Sequence, residues 1–319
     1  MNSSSSSSAS AARAEAPRGG LWTALALVTL YFCWGSTFLA NRLALDGIGP
    51  YLVNAVRFLG AGFPLYGWLR LRGEPPMALT SWLWAVPIAL FLFVGGAGLL
   101  VIAQQWITSA LAATILALIP LWTVLIASIW ERARPKGLEM AGIAVGFGGV
   151  VLLHLDSSVG GNVLGVAVVL LAGFTWAFGS VLSRRATVLH RPLGSAVQMI
   201  SGGFIVLVLG LLRGERILWP LPLTALAGEL FLITMGSIVG FSVYLYLLQV
   251  TRPAVATSYA FTNPLVASLL GWAVLGEPVS LVNVVAMAVI MVGVALVLSP
   301  GWLAEIRQRR KGLQESRFR

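Results

Sequence analysis

The side chains that could do chemistry in this sequence are few, and they lie inside or at the edges of long apolar runs. Arg57 is the one basic residue within such a run. A cation there could attract a substrate carboxylate, pair with Asp46, or extend along its helix to the membrane interface. Glu229 and Glu139 lie near the ends of their runs, where a proton-coupling carboxylate and a solvated helix end are both open interpretations.

Aromatic, hydroxyl and amide side chains supply the other candidates. Tyr259 and Asn263 are four residues apart, so they share one helix face. Ser36 and Thr37 follow Trp34, although small hydroxyl residues also mark helix packing. Tyr and Trp combine an apolar body with a polar tip, which suits a metabolite that has an apolar side chain. The predicted binding residues are Trp34, Ser36, Thr37, Arg57, Trp176, Tyr244, Tyr259 and Asn263.

Two prolines lie in the middle of apolar runs, at matching places in the two halves of the chain. Pro120 and Pro264 each remove one backbone hydrogen bond from a helix. A symmetry-related pair of this kind is typical of kinked helices that line a cavity. We therefore predict that both prolines act as kinks or gates.

The sequence lacks the residues that several kinds of enzyme or cofactor chemistry would require. His154 and His190 fall at run ends or in loops, so no Ser–His pair can form inside a membrane. The sequence has no phosphate-binding loop motif and no His, Cys and carboxylate cluster for a metal. Its single cysteine, Cys33, permits no intrachain disulfide. We expect neither an enzyme nor a bound cofactor.

The elements that must position these residues are membrane spans. Of the 319 residues 58% are hydrophobic and only 10% are charged, with a mean hydropathy of +0.89, which leaves too few polar groups to coat a soluble protein. Runs such as Ile88–Val101 do not alternate, which argues against a β-barrel. We predict an all-α membrane protein with ten transmembrane helices. They are Leu21–Ala40, Tyr51–Leu71, Ser81–Gln105, Ser109–Trp130, Gly137–His154, Val163–Ser183, Leu193–Leu212, Leu223–Gln249, Ala254–Leu275 and Val279–Leu298.

The basic residues predict the orientation of these spans. With the N-terminus in the cytoplasm, 17 Lys and Arg residues fall on the cytoplasmic side and 3 on the other. This asymmetry follows the positive-inside rule and predicts that both termini are cytoplasmic. The net charge of +10 is therefore a topology signal, and no nucleic-acid partner is expected. Residues 1–20 form a predicted disordered tail, and residues 299–319 form a basic cytoplasmic tail.

The chain also repeats itself. A shift of 144 residues aligns Gln105 with Gln249 and Pro120 with Pro264, and a shift of 142 aligns Trp34 with Trp176. We predict two five-helix repeats, residues 21–155 and 156–298. Because five is odd, the second repeat enters the membrane from the opposite side. Inverted repeats place a substrate site at their interface and expose it to each side in turn.

Ordered motifs over residues 21–298 resemble the EamA-type family of the drug/metabolite transporter superfamily. They are Trp34-Gly35-Ser36-Thr37 with Arg42, Pro50 with Arg57-Phe58, Pro120-Leu121 with Glu131-Arg132, and Asn263-Pro264-Leu265 with Gly276-Glu277-Pro278. The resemblance implies ten helices in two inverted repeats and secondary transport of metabolites. Many members of the family export amino acids or their derivatives. Trp176-Ala177-Phe178 departs from the matching Trp-Gly-Ser.

The predicted function is secondary transport of small neutral or zwitterionic metabolites. Phosphorylated substrates need several buried cations, and Arg57 stands alone. An inner-membrane exporter of amino acids by alternating access is favoured because of the resemblance. A multidrug or other metabolite carrier of the same fold, or a channel, is the alternative. The expected partners are a small-molecule substrate and the lipid bilayer, with a monomer expected and an oligomer left open.

Overall fold

The computed structural model describes residues 20–130, 137–154, 162–186, 189, 191–250 and 259–297. These residues are almost entirely helical. The described helices are α1 (Gly20–Ala44), α2 (Pro50–Leu71), α3 (Leu79–Ala103), α4 (Ser109–Trp130), α5 (Gly137–His154), α6 (Val163–Arg185), α7 (Pro192–Leu212), α8 (223–250), α9 (Tyr259–Leu275) and α10 (Leu281–Val297). Within the same ranges there is no β-strand, only an isolated antiparallel bridge between Ile48 and Ile217.

Six helices in the described part of the chain are long and apolar enough to cross a membrane. They lie in α1, α3, α4, α6, α7 and α8, and shorter apolar stretches occur in α5, α9 and α10. Large apolar side chains such as Trp22, Leu171 and Leu281 are exposed on the outside, as expected where lipid is the solvent. The structure is that of a helical membrane protein. The prediction of ten transmembrane helices goes beyond these six and stays a prediction.

Two helices contain wide turns at corresponding places. α3 changes to a π-helix over Leu90–Gly98, and α8 does so over Leu232–Val239, 142 residues later. Such stretches open the i→i−4 ladder and often occur at functional sites. A different interruption divides α4 into Ser109–Leu116 and Ile119–Trp130, directly before Pro120.

Close packing between helices depends on glycine at one crossing in particular. A Cβ atom on Gly293 of α10 would lie 2.6 Å from the backbone nitrogen of Gly146 and 2.8 Å from the carbonyl oxygen of Gly142, both in α5. Only glycine on both helices lets their backbones approach so closely. The largest apolar cluster, which includes Leu118, Leu121 and Ile290, joins α10 to α4.

The loops gather at two ends of the bundle. At one end, called the vestibule end, residues 45–49 meet residues 213–222. The backbone nitrogen of Gly49 donates to the oxygen of Arg216 at 3.2 Å, and that of Leu218 donates to the oxygen of Gly47 at 2.8 Å. At the opposite end, Glu74 after α2 forms an ion pair with Arg191 before α7.

Two carboxylates cap helix starts at the vestibule end. Glu215, which follows α7, accepts hydrogen bonds from the backbone nitrogens of Tyr51 at 2.8 Å and Leu52 at 3.1 Å, in the first turn of α2. Glu277, which follows α9, accepts from the backbone nitrogen of Ser109 at 3.0 Å, at the start of α4. A negative charge is favourable beside the exposed N–H groups of a helix start. Each carboxylate therefore ties one half of the chain to the other.

Candidate functional site

The wide turn of α8 is where side chains from α1 and α2 converge. The indole Nε1 of Trp34 donates to the carbonyl oxygen of Gly236 at 3.2 Å. Gly236 lies within the π-helical stretch, where carbonyl groups are released from the regular ladder. A Cβ atom at Gly236 would lie 3.0 Å from Thr37 and 3.4 Å from Arg57, so this glycine lets both approach α8. The Oγ1 of Thr37 itself donates to the carbonyl oxygen of Trp34 at 2.6 Å.

Arg57 points into the protein and not toward the interface. Its Nε donates to the Oγ of Ser237 at 2.9 Å, and its side chain is 9% exposed. The guanidinium carbon lies 5.1 Å from the centre of the Phe58 ring. Ser237 is fourteen residues into α8 and Arg57 is seven residues into α2, counted from the same end of the bundle. The guanidinium therefore reaches inward from its backbone.

Trp34 is also the centre of an aromatic cluster, made of Trp34, Phe241, Tyr244 and Tyr259. Its ring centre lies 4.4 Å from that of Tyr259, 5.1 Å from Tyr244 and 5.6 Å from Phe241. The rings of Tyr244 and Tyr259 are 6.0 Å apart and nearly perpendicular. Edge-to-face arrangements of this kind hold aromatic side chains in a defined geometry. The cluster joins three helices beside the wide turn of α8.

Two predicted polar residues have buried oxygens without a hydrogen-bond partner among the described residues. One is the Oδ1 of Asn263, one helical turn after Tyr259, and the other is the Oγ of Ser36. A buried polar atom without a partner costs free energy, and in a native structure it calls for an explanation such as a bound ligand or water.

Of the remaining predicted residues, one lies away from this site, and the two prolines differ in their local helix structure. Trp176 packs against Gly96 of α3, in the apolar cluster that contains Phe58 and Phe93, and among the described residues its ring has no contact with that of Trp34. Pro120 follows a break in α4, whereas α9 runs through Pro264 without interruption. The two prolines thus occupy different local structures.

Three features of the site are not among the predicted binding residues. Gly236 and the π-helical stretch leave no periodic signal in an apolar run. Ser237 shares a helix face with Gly240 and Tyr244, but hydroxyl residues at that spacing are common in helix packing. Glu229 looked like a helix end, yet it is 3% exposed, and neither carboxylate oxygen has a hydrogen-bond partner within the described ranges.

A cavity of about 590 Å³ opens at the vestibule end. Its lining includes charges of both signs, Arg42, Asp46, Arg216 and Glu277. The joined loops 45–49 and 213–222 contribute to the same lining, and Arg57 and Glu229 lie further along α2 and α8. In the searched part of the chain, no group of three His, Cys, Asp or Glu residues could hold a metal ion.

Apolar spanning helices around a buried polar and aromatic site define a membrane protein of the transporter class. The EamA-like transporter family matches the chain twice, over residues 21–155 and 163–299, and the chain belongs to this family. An Escherichia coli K12 protein named an uncharacterized inner membrane transporter, YedA, is 35% identical over 85% of this chain and 89% of its own length. A second Escherichia coli K12 relative, named a probable amino-acid metabolite efflux pump, is 24% identical over 66% of this chain and 73% of its own length.

The fold has a counterpart of known structure. A protein of known crystal structure, 22% identical, superposes with a TM-score of 0.59 over 86% of this chain and 96% of that chain. The family, the relatives and the apolar helices together identify an integral inner-membrane transporter.

Proposed function

We propose that this transporter exports small neutral or zwitterionic metabolites, above all amino acids or related compounds, by alternating access. The observation that carries the proposal is the combination of one buried cation, Arg57, with the aromatic cluster around Trp34 at the same wide turn of α8. A cation beside an apolar, aromatic wall suits a molecule with one carboxylate and an apolar side chain.

The charge of the site argues against strongly anionic substrates. A phosphate group is usually bound by several Arg or Lys side chains together with backbone amides. At the wide turn of α8, Arg57 is the only positively charged side chain that the described contacts bring in. One guanidinium carries a single positive charge, which does not balance the two negative charges of a phosphate dianion.

The architecture we propose is ten transmembrane helices in two inverted five-helix repeats, residues 21–155 and 156–298, with both termini cytoplasmic. Two matches to one family model and two π-helical stretches 142 residues apart support the repeat. The loops 45–49 and 213–222, which the charge pattern predicts to be on one side, meet at the vestibule end. On this orientation the vestibule end is periplasmic.

Alternating access needs connections between the halves that can open. The caps of Glu215 on α2 and of Glu277 on α4 are such connections at the vestibule end. The ion pair of Glu74 with Arg191 is a candidate at the opposite end. Inverted halves would open one set while the other closes.

Export as the direction of transport is supported by the relative named a probable amino-acid metabolite efflux pump. A carrier of hydrophobic drugs is the second candidate, because the aromatic cluster would bind an apolar molecule without using Arg57. The two candidates differ in whether the substrate must carry a carboxylate.

The test is a transport panel with purified full-length protein in liposomes. Labelled neutral amino acids, acidic metabolites, sugar phosphates and a cationic dye are each offered to vesicles preloaded with the same compound. We expect exchange of neutral amino acids at least tenfold above protein-free vesicles, and background rates for the sugar phosphates. Preferential exchange of anionic metabolites or of the dye would contradict the proposal.

A further inference from the structure

Helices α2 and α8 face each other along matching stripes near the vestibule end. Val53 of α2 and Leu232 of α8 belong to one apolar cluster, and Gly60 of α2 lies against Ile233 of α8. Arg57 lies between Val53 and Gly60 on its stripe. On α8, Ala225 approaches Gly47 and Gly228 approaches Ala40, so the buried side of the segment 225–233 faces α1 and α2. Glu229 lies within this segment.

Arg57 and Glu229 are at similar depth. Arg57 is seven residues after the first residue of α2 and Glu229 is six residues after the first residue of α8, so each is about 10 Å from the vestibule end at 1.5 Å per residue. Both are buried, at 9% and 3% exposure, where little solvent screens the attraction between opposite charges.

The guanidinium of Arg57 has one edge still available. Its Nε is used by Ser237, and neither Nη1 nor Nη2 has a hydrogen bond to the described residues. Arg binds a carboxylate best through two parallel N–H groups. Because the bond to Ser237 fixes the plane of the guanidinium, the Nη1–Nη2 edge is oriented in advance for a carboxylate.

The carboxylate of Glu229 offers hydrogen-bond acceptors that complement the free donors of Arg57. Both of its oxygens are buried and have no hydrogen-bond partner within the described part of the chain. Two other charged side chains at this end are engaged elsewhere, since Arg42 donates to the carbonyl oxygen of Gln104 at 2.6 Å and Asp46 accepts from Thr224 at 3.2 Å. Two buried oxygens in this condition would be satisfied by the three N–H donors of an ammonium group.

The two charges attract each other but do not form an ion pair. No nitrogen of Arg57 lies within 4.0 Å of an oxygen of Glu229. A group inserted between them would need two hydrogen bonds of about 2.8 Å each, so such a site requires the charges to stay apart. Separated, buried and opposite charges inside a membrane protein indicate a function, since burial costs each of them free energy.

We propose that Arg57 and Glu229 together bind the head group of a zwitterionic α-amino acid. Arg57 holds the carboxylate and Glu229 holds the ammonium group. The apolar side chain of the amino acid then lies toward Trp34, whose indole is bonded to Gly236, the neighbour of Ser237. This inference rests on the proposed function and narrows its substrate class to molecules that carry both charges.

The test uses full-length protein in liposomes and the neutral amino acid that gives the fastest exchange in the transport panel. Two analogues with the same side chain compete with it: the amino alcohol, which lacks the carboxylate, and the carboxylic acid, which lacks the ammonium group. We expect each to inhibit at least tenfold more weakly than the amino acid, because a site built for a polar group rejects the analogue that lacks it.

Substitutions assign each charge to its residue. Glu229→Gln should weaken binding of the amino acid at least tenfold and leave binding of the carboxylic acid analogue nearly unaffected. Arg57→Gln should weaken binding of the amino acid at least tenfold and leave binding of the amino alcohol nearly unaffected. The controls make the same chemical changes away from the site, Arg72→Gln on an exposed residue after α2 and Glu315→Gln in the predicted cytoplasmic tail, and should leave all three affinities unchanged. Elution as a single monodisperse peak shows that each variant is folded.

The results distinguish a failure of the head-group site from a failure of the proposed carrier function. If the amino acid exchanges but both analogues compete equally well, or if Glu229→Gln and Arg57→Gln weaken all three compounds by the same factor, the head-group site is wrong and the carrier function stands. If no neutral amino acid exchanges, the proposed function fails and the head-group site fails with it.

Discussion

At the level of single residues, Trp34 connects the wide turn of α8 with the aromatic cluster. Its indole nitrogen satisfies the Gly236 carbonyl, which the wide turn of α8 leaves available, and its ring packs edge-on against Tyr259 at 4.4 Å. The hydrogen bond and the ring contact therefore fix the same side chain from two directions. In the function that we propose, a tryptophan held in this way is a rigid wall of the substrate site.

Trp34→Phe should slow exchange of the neutral amino acid about fivefold while the protein remains folded. Phenylalanine keeps a ring for Tyr244 and Tyr259 but leaves the Gly236 carbonyl without its donor, and one hydrogen bond is worth about 1 kcal/mol. The measurement is the initial exchange rate in liposomes at matched protein content. Trp22→Phe, on the 67% exposed tryptophan of the same helix, is the control and should leave the rate unchanged. Equal rates for both variants would show that the indole hydrogen bond has no part in transport.

The site could be predicted from the sequence where residue type and depth were sufficient. Trp34, Tyr259 and Tyr244 are predicted binding residues because they are aromatic and lie deep in apolar runs, and the structure brings them together. Glu229 is not among the predicted binding residues, because its position along the chain is near the end of an apolar run. Its burial depends on how α1 and α2 cover α8, and that packing is not encoded in the local sequence.

At the scale of helices, the caps at the vestibule end connect transport to the fold. Glu215 holds the first turn of α2, and it follows α7, which corresponds to α2 in the predicted repeat. Glu277 holds the start of α4 and follows α9, which corresponds to α4. Each cap therefore joins a helix to the end of its counterpart, which is the contact that must break if the halves move.

Glu215→Ala should open the vestibule end. The substitution removes two hydrogen bonds to a charged acceptor, each worth about 1.5 kcal/mol or more. In a Cys33→Ala background, a cysteine at buried Ile48 should react with a membrane-impermeant maleimide at least tenfold faster when Glu215 is replaced. Glu74→Ala removes a carboxylate at the opposite end and should not raise the labelling rate. If Glu215→Ala leaves the rate unchanged, the cap does not hold that end closed.

Gly293→Ala should destabilise the protein by separating α5 from α10. The added Cβ would lie 2.6 Å from the nitrogen of Gly146, and neither backbone can move without repacking, which costs about 1–3 kcal/mol. We expect a lower midpoint of thermal unfolding in detergent. Gly148→Ala is the matched control, because nothing lies within 4 Å of its new Cβ. Equal midpoints for both variants would show that the close crossing contributes nothing to stability.

The helices themselves were more predictable than their interruptions. Apolar runs of span length fixed most helix positions to within a few residues, as for Ser109–Trp130 and Val163–Arg185. The outcome at the prolines was not predictable, since α4 is broken before Pro120 while α9 continues through Pro264. A proline removes one hydrogen bond in either case, and the surrounding packing decides whether the helix breaks.

At the scale of the whole molecule, the carrier that we propose is made of two related halves. The family model matches each half, and the wide turns of α3 and α8 recur at corresponding places. The charge asymmetry of the loops predicts their sides, and the loops that meet at the vestibule end, 45–49 and 213–222, belong to one predicted side. The sidedness of the loops stays a prediction from the sequence, which rests on charge counts and hydropathy. The sequence does not predict the contacts that join the two halves, such as those of Glu215, because these depend on how loops distant in the sequence pack together.

The most direct test of alternating access is an overshoot experiment. Liposomes that contain the protein are loaded with a high concentration of unlabelled neutral amino acid and diluted into a trace of the labelled compound. A carrier whose single site faces each side in turn should exchange internal for external substrate, so we predict that the label rises transiently above its equilibrium level inside and then declines. A channel has no such coupling between the two fluxes. A rise that approaches equilibrium without an overshoot, at amino acid concentrations that saturate the flux, would contradict alternating access by this protein.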